Sequence, residues 1–372
     1  MINLASTPFD DESFVKNYID LISKKMTLPA SKRLTIKHKL ITLPNNVSLD
    51  NDFIEVILTN PFDNNNLKGL KGELFISGYL LLKDFLIKGK AYFDYVKRHS
   101  LVNVKNHEMK GIYRDLRDNS ITPLIGLVNA NLIDNAKKSN EKYWAFYDLI
   151  LKELKLINVN FKEVFDYSFI DKETRYNIIQ KINVPICPYC NRQYIETYKK
   201  DKQGEAIAQL DHFYNKSVFS LFSLTLANFI PSCAYCNTIL KRDFLFPYKY
   251  PYVDESNDDV IFLINTESVK TVYHPSDISI SLNKANSYYH QLSFFNAAEI
   301  YENHKQDVAN LLTKSNLYNQ NYKKSLEGIL KETITDSQLR VMLFNTTIED
   351  GVISATPLAK LTKDILFSKD IF

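Results

Sequence analysis

Apolar and polar positions follow helical spacing over much of the first half of the chain. Residues 71–100 (KGELFISGYLLLKDFLIKGKAYFDYVKRHS) and 141–157 (EKYWAFYDLILKELKLI) repeat apolar side chains at intervals of three and four, which predicts two amphipathic helices. Residues 53–58 (FIEVIL) lie between Asn, Asp and Pro residues and predict a short strand. We expect residues 1–185 to form a mainly helical N-terminal region that serves as scaffold or as a docking surface for a partner.

Residues 186–250 change to short extended runs. The segments RQYIETYKK and AIAQLDHFY flank the turn-like DKQGE and predict strands, and NFIPSC predicts a further extended segment. VFSLFSLTLAN predicts a short apolar helix, and CNTILKRD predicts the start of another. This region is expected to form a separate small module.

Residues 251–372 return to a mainly helical pattern. DVIFLIN and ISISLN predict two strands, while residues 297–334 predict a long amphipathic helix or a helical hairpin. Residues 356–367 (TPLAKLTKDILF) predict a last short helix. The whole pattern predicts an α+β fold that is mostly α, with a central module flanked by helical regions.

Composition and charge narrow the class of protein. The 372 residues are 45% hydrophobic and 24% charged, the balance of a globular chain with a substantial core. The net charge of +3 is too small for a protein that coats DNA. Between residues 181 and 250, nine basic residues against five acidic ones leave +4, so any contact with nucleic acid is expected there.

The sequence gives no sign of export or of a membrane span. The first residues lack the basic and apolar segments of a signal peptide, and no window of about 18 apolar residues occurs. We therefore expect a cytoplasmic protein without membrane contact. Thiols stay reduced in that compartment, where paired CxxC motifs indicate a metal site rather than disulfides.

All four cysteines of the chain form two such pairs, Cys187 with Cys190 and Cys233 with Cys236. Four thiolates complete a tetrahedral Zn²⁺ site with no open position, so the predicted zinc is structural. Four unrelated buried cysteines, or a redox CxxC, are the alternatives, but no thioredoxin-like βαβ pattern surrounds either pair.

Between the pairs lies the dipeptide Asp211-His212, and Asn237 follows the last cysteine. A carboxylate oxygen and an amide oxygen suit Mg²⁺, and a neutral imidazole can take a proton from water near pH 7. On a strand the two adjacent side chains would point to opposite sides, whereas in a turn they could converge. Hydrolysis of a phosphodiester is the chemistry that these groups favour.

The order CxxC, DH, NxxxxCxxCN and a following Lys resembles the HNH, or ββα-metal, endonucleases that carry a zinc clamp. The resemblance covers residues 187–241. It implies that His212 is the general base, that Asp211 and Asn237 hold one catalytic Mg²⁺ or Mn²⁺, and that Asn228 orients the loop bearing the histidine. The last signature position is Asn237 rather than His, which leaves the preferred metal open.

Basic residues near the module are candidates for phosphate contacts. By the same resemblance Lys241 would touch a phosphate, and the local charge adds Lys199, Lys200, Lys216 and Arg242 as nucleic-acid-binding candidates. Lys199 and Lys200 could equally form a solvated hairpin tip. His304 lies on the apolar face of a predicted helix, where a core or capping role is expected.

The C-terminal pattern EIYENHKQDVANLLTK with TPLAKLTKDIL resembles bacterial HNH proteins of antiphage systems of the Septu type. That resemblance implies the nuclease effector of a defence system, acting with an ABC- or AAA-type ATPase subunit. The chain has no nucleotide-binding loop of its own. Double-stranded DNA is the expected substrate; cleavage of RNA, or a zinc-stabilised module that binds without catalysis, are the alternatives.

Overall fold

The computed structural model describes residues 4, 7–98, 107–201, 203–253, 260–317, 320–344 and 356–368. Over these residues the protein is mostly helical, with four two-stranded antiparallel sheets, which confirms the expected class. One extensive hydrophobic cluster draws on all three regions of the chain, from Phe85 through Phe222 to Tyr301. Residues 246–259, rich in Pro and Tyr and then in acidic residues, predict a connector, and their part 254–259 lies outside the described residues.

The N-terminal region holds seven described helices and one short hairpin. The helices are α1 Glu12–Lys25, α2 Asn51–Leu58, α3 Glu73–Arg98, α4 His107–Ile121, α5 Ala130–Lys137, α6 Asn140–Val164 and α7 Lys172–Ile182. The hairpin pairs β1 Arg33–Thr35 with β2 Asn46–Ser48. Helices α3 and α6 lie where helical spacing predicts them.

The strand predicted for residues 53–58 is wrong, because this run forms most of α2. The carboxylate of Asp50 accepts a hydrogen bond of 3.0 Å from the backbone N–H of Phe53, so the helix begins with a side-chain cap. Phe53, Ile54, Ile57 and Leu58 are buried, and their spacing matches one face of a helix. The cap and this spacing override the β propensity of the isoleucines and valine.

Strands β3 Thr197–Lys200 and β4 Gln203–Ala206 form an outer hairpin of the central module, and β5 Gln209–His212 pairs with β6 Phe229–Ser232. A π-helical segment, Tyr235–Lys241, follows β6. The helix predicted within residues 218–228 is instead two 3₁₀ turns, Ser220–Phe222 and Leu226–Asn228. Together they belong to the long loop of residues 213–228 that joins β5 to β6.

The N-terminal helices hold this long loop in place. Helices α3 and α6 pack through aromatic rings, and Asn158 of α6 accepts a hydrogen bond of 2.7 Å from the Tyr79 hydroxyl. The amide of Asn158 in turn donates to the carbonyl of Val218 in the loop. Tyr18 of α1 donates to the carbonyl of Leu224 at 2.6 Å. Buried backbone groups of the loop are thereby satisfied from the helical region.

The C-terminal region pairs β7 Phe262–Thr266 with β8 Ile278–Leu282, as predicted. Its described helices are α8 Tyr289–Phe294, α9 Ala297–Tyr301, α10 Lys305–Leu317, α11 Gln320–Leu330, α12 Asp336–Phe344 and α13 Ala359–Ser368. Over residues 297–334, for which the sequence predicts one long helix or a helical hairpin, the described part holds the shorter helices α9, α10 and α11, and residues 318–319 lie outside it. No helix among the described residues is long and apolar enough to cross a membrane.

Helix α13 joins the C-terminal hairpin to the first cysteine pair. The backbone N–H of Leu358 and that of Lys360 donate to the carbonyl and side-chain oxygens of Asn191, at 2.7 and 3.0 Å. At the other side of the helix, Asp364 accepts hydrogen bonds of 2.9 Å from the N–H groups of Ile261 and Phe262. Lys360 also forms an ion pair with Asp364, and each side chain is 1% exposed.

Asp364→Asn should therefore lower the free energy of unfolding by about 3–5 kcal/mol, because Lys360 loses its buried carboxylate partner. Urea denaturation followed by circular dichroism measures this change. Glu299→Gln, at an exposed position, is the control and should change stability by less than about 0.5 kcal/mol. Equal stability of the two variants would contradict a structural role for the buried pair.

Candidate metal centre and polar cleft

The four cysteines converge in the structure as their spacing predicts. The sulfur atoms of Cys187, Cys190, Cys233 and Cys236 all lie within 4.8 Å of one another, and all four are free thiols. Burial raises the pKa of Cys187, while hydrogen bonds from the neighbouring thiols lower the pKa of Cys190. A structural zinc takes four ligands in a tetrahedron, and four sulfurs this close together are compatible with such a site.

Local backbone geometry shapes each cysteine pair into a tight turn. The N–H of Asn191 donates to the carbonyl of Cys187 at 2.8 Å, and Asn191 adopts a left-handed backbone with φ 50°. In the second pair, the N–H of Cys236 points to the sulfur of Cys233 at 3.4 Å. Such turns direct the two sulfurs of one pair to the same point, so the four-cysteine cluster depends on backbone geometry as well as on the thiols.

Strand β6 leads directly into the second cysteine pair, and the π-helical segment leaves it. In the β5–β6 register Asp211 faces Ile230 and His212 faces Phe229. An open cleft of about 460 Å³ beside this hairpin is lined by Asp211, His212 and Asn237 among others. Asp211 and His212, whose relative direction the sequence left open, thus line one cleft together with Asn237.

His212 is buried at the wall of this cleft. Its Nε2 lies 2.9 Å from the carbonyl oxygen of Ser223, and a carbonyl can only accept, so Nε2 carries the proton of the neutral ring and Nδ1 keeps the lone pair. Burial lowers the pKa of His212 to about 3, opposed by the Ser223 carbonyl and aided by the charges of Lys216 and Lys241. The imidazole is therefore neutral at pH 7, with Nδ1 able to accept a proton.

Asp211 is 4% exposed, and both of its oxygens are engaged. Oδ2 accepts a hydrogen bond of 2.5 Å from the Tyr189 hydroxyl, and Oδ1 accepts one of 3.0 Å from the Lys241 ammonium. Lys241 also donates to the carbonyl of His212 at 2.7 Å. The carboxylate charge is thus compensated inside the protein by a residue of the π-helical segment.

The phosphate contact expected of Lys241 needs correction. This side chain is only 1% exposed, because its stem points inward from the π-helical segment and its ammonium is held by Asp211 and His212. A lysine in this position stabilises the Asp211 carboxylate and the backbone of His212 from the protein interior. It does not present a charge to the open cleft.

Asn237 donates from its amide nitrogen to Oε1 of Gln209 at 2.9 Å, so its amide oxygen is the atom it would offer to a cation. Asp211 and Asn237 are oxygen donors on one cleft, the ligand type that Mg²⁺ and Mn²⁺ prefer. Each carboxylate oxygen has two lone pairs. The residues therefore fit a hard cation, provided that it shares Asp211 with Lys241.

Asn228 is fully buried and ties the two ends of the long loop together. Its Oδ1 accepts from the N–H of Tyr214 at 2.7 Å, and its Nδ2 donates to the carbonyls of Tyr214 and Phe222 at 3.0 and 2.9 Å. Phe222 immediately precedes Ser223, whose carbonyl fixes the His212 ring. Asn228 consequently positions the partner that sets the orientation of the imidazole.

The remaining basic candidates divide into two groups. Lys216 and Arg242 line the cleft. Lys199 and Lys200 lie on the exposed β3–β4 hairpin and are not among the residues that line it. His304 accepts a hydrogen bond of 2.8 Å from Arg192 and pairs with Asp307, away from the cleft.

Three residues of the site were missed by sequence reasoning. Tyr189 binds Asp211, Tyr167 packs edge-on against the His212 ring with centroids 4.6 Å apart, and Arg175 of α7 lines the cleft. Tyr189 lies inside the first CxxC pair, which is the one signal that could have drawn attention to it. Tyr167 and Arg175 come from the N-terminal region, where no motif marks them.

Comparison with models of protein families, with curated proteins and with solved structures finds no match.

Cys236→Ser should remove the bound zinc that we expect at one ion per chain and lower the free energy of unfolding by more than about 3 kcal/mol, because three thiolates no longer complete the site. Elemental analysis of the purified protein and urea denaturation measure the two effects. Thr238→Ser, two residues further on, is the control. Retention of a full zinc equivalent in Cys236→Ser would contradict the four-cysteine site.

Asn228→Ala should destabilise the protein by about 3 kcal/mol, because it removes three hydrogen bonds to backbone groups of Tyr214 and Phe222 from the interior. Hydrogen exchange followed by mass spectrometry should show faster exchange in residues 213–228 at unchanged zinc content. Ser217→Ala, exposed in the same loop, should leave exchange as in the wild type. Unchanged protection in Asn228→Ala would show that the loop is held by other contacts.

Proposed function

We propose that this chain is a metal-dependent endonuclease of the HNH type that hydrolyses phosphodiester bonds. The observation that carries the proposal is the state of His212, a buried neutral imidazole whose Nδ1 keeps its lone pair and which shares a cleft with Asp211 and Asn237. The strand pair β5–β6 followed by the π-helical segment gives the ββα order that the proposed family has. The adjoining four-cysteine cluster supplies the clamp.

In the proposed reaction, His212 Nδ1 takes a proton from a water molecule as the water oxygen attacks phosphorus. The bond from phosphorus to the leaving oxygen breaks, and that oxygen leaves with a proton from solvent. A divalent cation held by Asp211 and Asn237 would stabilise negative charge on the phosphate and on the leaving oxygen. Ser223 keeps the imidazole in the required tautomer throughout.

Double-stranded DNA is the substrate that we propose, in the context of bacterial defence against phage. The basis is the sequence resemblance together with the local positive charge of the module. The partner in that context would be an ABC- or AAA-type ATPase. Exposed apolar side chains on α11 and α12, such as Ile329 and Met342, offer surface for such a partner.

One observation favours the alternative of a module that binds without catalysis. Both oxygens of Asp211 are already engaged, by Tyr189 and by the buried ammonium of Lys241. A module that only binds nucleic acid or protein would not need a metal ion at Asp211, so these two partners would be sufficient. Cleavage of plasmid DNA by the wild type and by His212→Ala distinguishes the two proposals.

His212→Ala should reduce metal-dependent cleavage of supercoiled plasmid about 100-fold or more, since a positioned general base contributes at least that factor. Nicked and linear products are measured on gels with Mg²⁺ or Mn²⁺. His290→Ala, which removes an exposed histidine of α8, is the control and should cleave like the wild type. Zinc content should be equal in all three proteins.

Wild-type rates in His212→Ala would overturn the assignment of the base. Absence of cleavage in the wild type, with zinc bound and the fold intact, would contradict cleavage of DNA by the isolated chain. The same variants tested on structured RNA, and with a co-purified ATPase, would then separate an RNA nuclease or a partner-dependent enzyme from a binding module.

A further inference from the structure

The wall of the cleft next to His212 is built by the N-terminal helical region. Tyr167 lies in a 3₁₀ turn, Tyr167–Phe169, that ends shortly before α7, and Arg175 lies in the first half of α7. Asp171 fixes this connection, because its Oδ1 accepts the N–H of Thr174 at 2.8 Å and its Oδ2 pairs with Lys25 at 2.7 Å. The N-terminal region, expected to be a scaffold or a docking surface, therefore lines the cleft that contains His212.

Two cations line the cleft beside Tyr167. The ammonium of Lys216, from the β5–β6 loop, lies 3.7 Å from the centre of the Tyr167 ring, and Arg175 lines the same cleft as these two residues. Removal from water lowers the pKa of Lys216; Asp166 opposes this, and the positive charge of Arg175 adds to it. The positive charges of Lys216 and Arg175 are therefore close enough to repel each other when no anion lies between them.

Arg175 has an unused donor. Its Nε is buried and has no hydrogen-bond partner among the residues that the structure describes. The Nε edge of a guanidinium, with one terminal nitrogen, is the fork that binds phosphate oxygens in a bidentate manner. A buried donor of this kind costs free energy unless a ligand satisfies it.

The other charges of the cleft leave it positive. Arg242 adds a third cation, and the charge of Asp211 is compensated by Lys241. Asp243 is an exposed acid at the rim, and Asp166 acts on Lys216 from the preceding turn. The cleft therefore favours an anion next to the neutral His212.

We propose that Arg175 and Lys216 form a phosphate-binding site that holds a nucleic-acid phosphate beside His212. The inference rests on the proposed function for the identity of the ligand, and it makes α7 part of the substrate site. Arg175 would grip two phosphate oxygens with its Nε edge, while Lys216 would add a point charge from the opposite element. Tyr167 would hold the Lys216 ammonium over its ring, in the cleft that Arg175 also lines.

The test is calorimetric titration with thymidine 3′,5′-bisphosphate in the absence of added divalent cations. Arg175→Ala and Lys216→Ala should each weaken binding at least about tenfold, the loss expected for one charged hydrogen-bonding partner. Arg175→Lys should retain part of the affinity, because an ammonium keeps the charge but not the fork. Arg114→Ala, which removes the same charge from an exposed helical position, should bind like the wild type.

The double variant gives a further criterion. If both cations hold one phosphate, the combined loss in Arg175→Ala with Lys216→Ala should be smaller than the sum of the single losses. Zinc content and circular dichroism exclude unfolding as the cause, and Lys216→Ala tests the site without touching the helical core. Failure of the wild type to bind, or equal affinity in wild type, Arg175→Ala and Lys216→Ala, would overturn the inference.

The plasmid assay with His212→Ala keeps this result separate from the nuclease proposal. Phosphate binding that depends on Arg175 and Lys216, without cleavage by any variant, would support the phosphate site and contradict catalysis. Cleavage that depends on His212 but not on Arg175 or Lys216 would support the nuclease and contradict the phosphate site.

Discussion

The convergence of four sulfurs within 4.8 Å is the constraint on which the rest of the site depends. Cys233 follows β6 directly, and Asn237 adjoins Cys236, so fixing the second pair also fixes Asn237 against the Asp211 strand. Asn191, inside the first turn, accepts the first N–H groups of α13, which brings the end of the described chain to the same point. A single bound ion would thus set the relation between three distant segments.

The second constraint is electrostatic. Asp211 is 4% exposed, and its carboxyl group is held by the Lys241 ammonium at 3.0 Å and by a second hydrogen bond from Tyr189. A buried pair of this kind adds little net stability, but losing one partner is costly. The pair also fixes local geometry, since Lys241 donates to the carbonyl of His212 and so connects the π-helical segment to strand β5.

The sequence carried some of this information, and the rest depends on tertiary contacts. The CxxC spacing predicts that the two sulfurs of each pair converge because tight turns are local, and helical periodicity predicts α3 and α6 for the same reason. The meeting of the two pairs within 4.8 Å is a tertiary contact that only a shared metal ion would predict. FIEVIL was mistaken for a strand because the cap at Asp50 outweighs β propensity. The inward direction of Lys241 and the approach of Tyr167 and Arg175 to His212 follow from packing between distant segments, which no local pattern encodes.

The contribution of the helical region changes how the proposed chemistry is understood. The ring of Phe229 in β6 and the ring of Tyr167 from the N-terminal region both pack edge-on against the His212 ring, so the helical region contributes to its burial. Burial keeps the imidazole neutral well below neutral pH, and the Ser223 carbonyl fixes which nitrogen is basic. The loop that carries Ser223 is itself held by Tyr18 and Asn158 of the helices. The neutral state and the orientation of His212 therefore depend in part on contacts from the N-terminal region. A module isolated from that region would lack the Tyr167 ring and the hydrogen bonds that hold the loop carrying Ser223.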